Sequence, residues 1–368
     1  MISSKPQPEF IPGLKLSQMY YEEAVGPLLA RHFPGLRHTA ALIGFGSDVL
    51  GFDDERSRDH MWGPRLVLFL PEENFAENQN ALEKLFRVEL PPSFHGYPTS
   101  FSAPDAEGVR WMEEREQGAV SPLIEITTLP AYFQKEIGWD TCRPIETADW
   151  LTFSEHRLLS LTSGGVWHDD LGLEAVRAQL AYYPKQLWMY LLAAQWMKIG
   201  QEEAFVGRTV EVGDEIGSRL ITARLVEAVM RLCFLMERRY APYSKWFGRA
   251  FRRLEIAPLI EPHLSGALEA GDFHTREANL CRAYEICAWK FNSLDLLPPV
   301  EARVRLFYGR PFKVIFGGAI AEKIRSAISD ENIRALPPFI GSVNQFSAST
   351  DSLESIEVTT RLRGLYPS

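Results

Sequence analysis

Two short apolar runs on either side of an acidic loop constrain this chain more than any other stretch. Residues 38–70 read HTAALIGFGSDVLGFDDERSRDHMWGPRLVLFL. The runs at 40–45 and 66–70 are short, apolar and bounded by turn residues, which predicts two buried strands. Gly46-Ser47 closes the first run. A glycine-serine turn lets backbone N–H groups and a hydroxyl approach a phosphate closely. Asp59, separated from Ser47 by eleven residues, stands ahead of the second run. An aspartate there suits a Mg²⁺ ion that bridges phosphate oxygens. The plainer reading is a strand-ending turn followed by a solvated loop at Asp53-Asp54-Glu55.

At 368 residues the chain has room for two or three domains. Its net charge of −9 argues against a general nucleic-acid scaffold. The four cysteines, Cys142, Cys233, Cys281 and Cys287, form no CxxC pair. They read as reduced, mostly buried thiols of a cytosolic protein. His60, His95, His263 and His274 share no metal-ligand spacing, so no zinc is expected. Residues 1–13 lack an apolar signal-peptide core. The most apolar stretch, 187–199, contains Gln195 and Lys198 and is too short to span a bilayer. It reads as a buried helix, and the expected location is the cytoplasm, away from membranes.

Along the chain, Ser17 is placed to cap a helix running to about His32, kinked or split by Pro27. Residues 75–86 read as a helix and 122–129 as a strand. Glu125 falls inside that strand, where an unpaired buried carboxylate is costly. It is therefore a metal ligand or a satisfied edge residue. Residues 166–172 read as a polar, aromatic loop, with His168 either an acid–base group or a turn residue and Asp169 or Asp170 capping the next helix. Helical patterns follow at 187–205, 217–240, 256–270 and 275–293. Arg224, Arg231 and Arg238 recur every seven residues as one stripe. A short hairpin is expected at 304–316, a helix at 319–328 and a turn-rich tail at 340–351.

Gly-Ser, a loop and an aspartate entering a strand resemble the motif of the nucleotidyltransferase superfamily, the polymerase-β-like fold. Three longer phrases are more specific: GSDVLGFDDERSRDH with WGPR, YYPKQLWMYLLAAQW and RRYAPYSKW. Together they resemble bacterial proteins of the DUF4037 family, which is nucleotidyltransferase-like and has no settled substrate. The resemblance spans roughly residues 20–350. It implies an α+β fold, a nucleotidyltransferase-like mixed sheet with flanking helices at 15–148, followed by an α-helical domain at 149–296. A C-terminal segment, 297–368, is expected to pack back on both.

The same resemblance implies a site. Gly46 and Ser47 would hold the triphosphate of an NTP. Asp59 and Glu125 would hold Mg²⁺ (or Mn²⁺), which neutralises charge on the attacked phosphate. Lys245, with Arg208 and Tyr243, would face that centre from the helical domain and bind phosphate or an acidic acceptor. For these cations the plainer role is salt bridging on a solvated face. The expected reaction is transfer of a nucleoside monophosphate to a small-molecule hydroxyl. One departure weakens it. Position 61, where the family motif carries a second aspartate, is methionine, which has no oxygen for Mg²⁺. The alternatives are a non-catalytic nucleotide- or metabolite-binding regulator, a transferase acting on a macromolecule, and an interaction module. The expected partners are a nucleotide and a small-molecule acceptor rather than nucleic acid.

Overall fold

The computed structural model describes residues 8–367, which fall into two compact units. The first takes residues up to 144 together with 157–181, and the second takes 145–156 and 182 onward. Residues 157–181 thus leave the helical domain to which the sequence reading assigned them. The C-terminal segment belongs to the second unit throughout.

The first unit is built on a four-stranded mixed sheet. Its strands are β1 (Thr39–Leu42), β2 (Arg65–Phe69), β3 (Leu123–Thr127) and β4 (Gly165–Asp169), in spatial order β3-β2-β1-β4. β1 and β2 pair antiparallel, and both are buried along their whole length. That is why they read as continuous apolar runs rather than alternating ones. β3 runs parallel to β2, with Val67 beside Glu125. A parallel pair needs a crossover, and the helix Phe75–Glu89 lies in it.

β4 corrects the sequence reading, which gave residues 166–172 as a loop. It pairs antiparallel with β1, Thr39 opposite Asp169 and Ala40 opposite His168. The register then slips, so that Ala41 faces Val166. This bulge breaks the period of two and hides the strand from a pattern search.

The first helical stretch is α1 (Gly13–Tyr20), a π turn at Tyr21–Val25, and α2 (Gly26–His32). The π turn explains how Pro27 is tolerated. Proline clashes with the carbonyl four residues back, and widening the preceding turn removes that conflict. Ser17 does not cap a helix. It lies buried in mid-α1 and its hydroxyl donates to the Arg65 carbonyl at 2.7 Å.

The second unit is helical. Its central helix, α3 (Lys185–Glu202), is buried on nearly every side. Gln195, wholly buried within it, donates to the Ala228 carbonyl and accepts from Gln345, so no polar atom is stranded. Around it lie α4 (Glu215–Met236), α5 (Ala257–Glu269), α6 (Phe273–Asn292) and α7 (Gly317–Ala327). The expected hairpin forms between Arg305–Leu306 and Lys313–Val314. Part of the turn-rich tail is the short helix Val343–Phe346. Of the cysteines, Cys142 is exposed and the other three are buried. Among the described residues, no helix is long and apolar enough to cross a membrane.

Candidate phosphate-binding turn and its carboxylates

The turn after β1 is shaped by a buried ion pair that the sequence reading missed. Arg65, the first residue of β2, donates to both carboxylate oxygens of Asp48, at 2.7 and 3.2 Å. It also donates to the Phe45 carbonyl at 2.9 Å and lies against the Phe45 ring. The Arg65 and Asp48 side chains are 5% and 1% exposed. Removing one partner of such a pair strands the other and costs about 3–5 kcal/mol. Gly46 makes room for the pair. Its φ is +126°, and a Cβ there would lie 2.3 Å from both the Arg65 guanidinium and the Asp48 carboxylate. Among the described residues, the N–H groups of Gly46 and Ser47 and the Ser47 hydroxyl have no protein acceptor. N–H groups of a turn that have no protein acceptor are chemically suited to an anion.

The carboxylates are arranged differently from a two-metal centre. Asp59 ends the short 3₁₀ turn Glu55–Asp59, six residues before β2, and its side chain is 64% exposed. Among the described residues its polar partner is its neighbour, with Oδ2 3.0 Å from His60 Nδ1 and Oδ1 accepting the His60 N–H. Glu125 lies in β3 and accepts from Lys135 Nζ at 2.8 Å. Asp53 accepts from the Gly13 N–H and the Trp62 indole, and Asp54 caps the 3₁₀ turn. Met61 adopts a left-handed φ of +49°, and its sulfur accepts from the Arg110 N–H at 3.3 Å. Among the described residues, neither Asp59 nor Glu125 joins a cluster of three potential metal ligands. This donor set does not fit a resident two-magnesium centre.

The remaining candidates lie in the helical unit. Lys245 is exposed at the start of the helix Ser244–Phe251, its ammonium 5.2 Å from the Trp246 ring. Tyr243, half-buried just before it, packs on His156 and Trp246. Burial and the charge of Glu354 raise its phenol pKa. Arg208 is exposed on the helix Phe205–Glu211, beside the Phe205 ring. Of the arginine stripe, Arg224 is paired with Glu202 and Arg231 with Glu227. Arg238 lies past the end of α4, over the rings of Tyr182 and Trp188. The sequence held one clue to Arg65, a lone cation at the head of an apolar strand, but none to its partner.

A mixed sheet flanked by helices and joined to a large helical unit is the architecture that the sequence motifs implied. Residues 150–247 match the family DUF4037, a domain of unknown function. Two of the three diagnostic phrases lie inside the match, and the Gly46–Ser47 phrase lies outside it. Among solved structures, the chain is similar to a nucleotidyltransferase-like protein from Exiguobacterium sibiricum 255-15. The two are 11% identical over 76% of each chain, with a TM-score of 0.32. No curated protein matches.

Proposed function

We propose that this chain is a nucleotidyltransferase-like protein that binds nucleotide phosphate on the Gly46–Ser47 turn and does not carry out two-metal nucleotidyl transfer. The free N–H donors and hydroxyl of that turn carry the reading. Its non-catalytic half rests on the carboxylates. Glu125 is neutralised by Lys135, Asp59 faces solvent beside His60, and position 61 has no oxygen. Magnesium bound to the nucleotide would neutralise phosphate charge, and the protein's own groups would position the phosphate.

The test is a thermal-shift panel of the four NTPs with Mg²⁺ or Mn²⁺, run with an assay for pyrophosphate release. A ligand at 100 times its Kd stabilises by about 2.7 kcal/mol. The expected result is a shift with at least one NTP, reduced by Ser47→Ala, and no pyrophosphate. Turnover in the parent protein would overturn the non-catalytic half, and silence with every NTP would overturn the binding half.

A further inference from the structure

We propose that His38, His168 and Asp170 form a binding site for one divalent transition-metal ion of the zinc class. The site follows from the strand register. Asp169 faces Thr39 and His168 faces Ala40. The ladder continues one step, because the Asp170 N–H donates to the His38 carbonyl at 3.1 Å. Side chains alternate along strands, so positions 38, 168 and 170 share one face. The bulge that follows at Ala40/Ala41 fixes this alignment at the rim of the sheet.

The side chains converge as the register requires. One ligand atom from each of the three lies within 4.8 Å of the other two. The two imidazoles stack at 4.3 Å, and His168 Nε2 is 2.8 Å from Asp170 Oδ2. Tetrahedral zinc, with bonds of about 2.0–2.1 Å, spaces its ligand atoms about 3.3 Å apart. Rotation of His168 and Asp170, whose side chains are 38% and 40% exposed, closes that difference. His38, 8% exposed, is the fixed member.

His38 is also oriented as metal-binding histidines are. Its Nδ1 lies 3.0 Å from the Leu36 carbonyl, which places the proton there and leaves Nε2 as the acceptor, a lone pair that a metal would take over from its hydrogen-bond donor. That lone pair is met by the Tyr21 hydroxyl at 2.9 Å. Tyr21 opens the π turn, and such turns recur at functional sites. Tyr21, His38, His168 and Asp170 line an open groove of about 480 Å³ with Pro27 and Phe33. Two imidazoles and one carboxylate are the three-ligand set of open zinc sites, with the fourth position left to solvent or a ligand in the groove. Imidazole also selects against magnesium and calcium, which take oxygen ligands. The site adjoins the start of β1, whereas the Gly46–Ser47 turn follows its end, so the metal proposal is independent of nucleotide binding.

The experiment titrates the full chain, stripped with a chelator, with Zn²⁺ alone by calorimetry, and with Co²⁺ by visible absorption. The expected result is one saturable equivalent and the absorption of four- or five-coordinate cobalt. His168→Ala and Asp170→Asn should each weaken Zn²⁺ binding more than about 100-fold, beyond the 10–100-fold cost of losing an outer partner. His60→Ala, at the exposed His60–Asp59 pair, should leave it unchanged. Asp170→Asn keeps a side-chain oxygen for the His38 N–H and guards against loss of the fold in His168→Ala. No saturable binding in the parent protein overturns the proposal, and so does binding that survives both variants.

Discussion

Met61 shows how one side chain can stand outside the chemistry expected of its position. Its backbone is left-handed, with φ +49°. That conformation costs an ordinary L-residue roughly 1–2 kcal/mol, and asparagine and aspartate tolerate it best. The aspartate expected at this position thus suits both a metal and the local backbone, whereas methionine suits neither. Met61→Asn should raise thermal stability by up to about 1 kcal/mol, and Met61→Val should lower it, because a β-branched residue is a true outlier there. Paired thermal melts check both. Asp48→Ala should cost about 3–5 kcal/mol, because Arg65 would be left buried and unpaired. A denaturant titration measures that. At this scale the sequence pointed to positions 46, 47 and 61 as candidates. It was silent on the Asp48–Arg65 pair and on the meeting of His38 with His168. Those contacts join residues 17 and 130 positions apart, and no local pattern encodes such a pairing.

Elements were legible where their period was intact. β1, β2 and β3 and the long helices of the second unit lie close to where apolar runs and 3.6-residue repeats placed them. β4 was lost because its bulge interrupts alternation and its residues are only half-buried at the sheet edge. The π turn before Pro27 was legible only as a kink. One junction between elements carries a pH dependence. Glu203, just past α3, accepts from the N–H groups of Ile315, Phe316 and Gly317 at the start of α7. Burial pushes its carboxyl up to about 7, with those three donors opposing the rise. The native state therefore holds this proton more tightly than the unfolded chain does. The stability it contributes is full below the ordinary carboxyl pKa and is lost as pH rises through about 7. Between pH 5 and 8 the Tm of the parent protein should fall relative to that of Glu203→Gln. A Tm difference that stays flat or grows in the parent's favour would count against the raised value.

At the scale of the whole molecule, the family resemblance implied a mixed sheet unit and a helical unit but not the path of the chain between them. The sequence boundary near 148 follows a change of character from strands to helices. The chain instead returns to the sheet with residues 157–181 before completing the helical unit. β4 supplies the physical reason, since a strand can belong to a sheet far from it in sequence. The DUF4037 match at 150–247 spans this return and so contains β4 as well as the core of the helical unit. The proposed function rests on phosphate binding by the Gly46–Ser47 turn. Equilibrium binding of each NTP to the parent protein and to Ser47→Ala, side by side, tests it most directly. A hydrogen bond to a charged group contributes about 1.5–3 kcal/mol, so the variant should bind roughly 10- to 100-fold more weakly. Equal affinity in the two proteins, or no binding of any NTP to the parent, would contradict the claim.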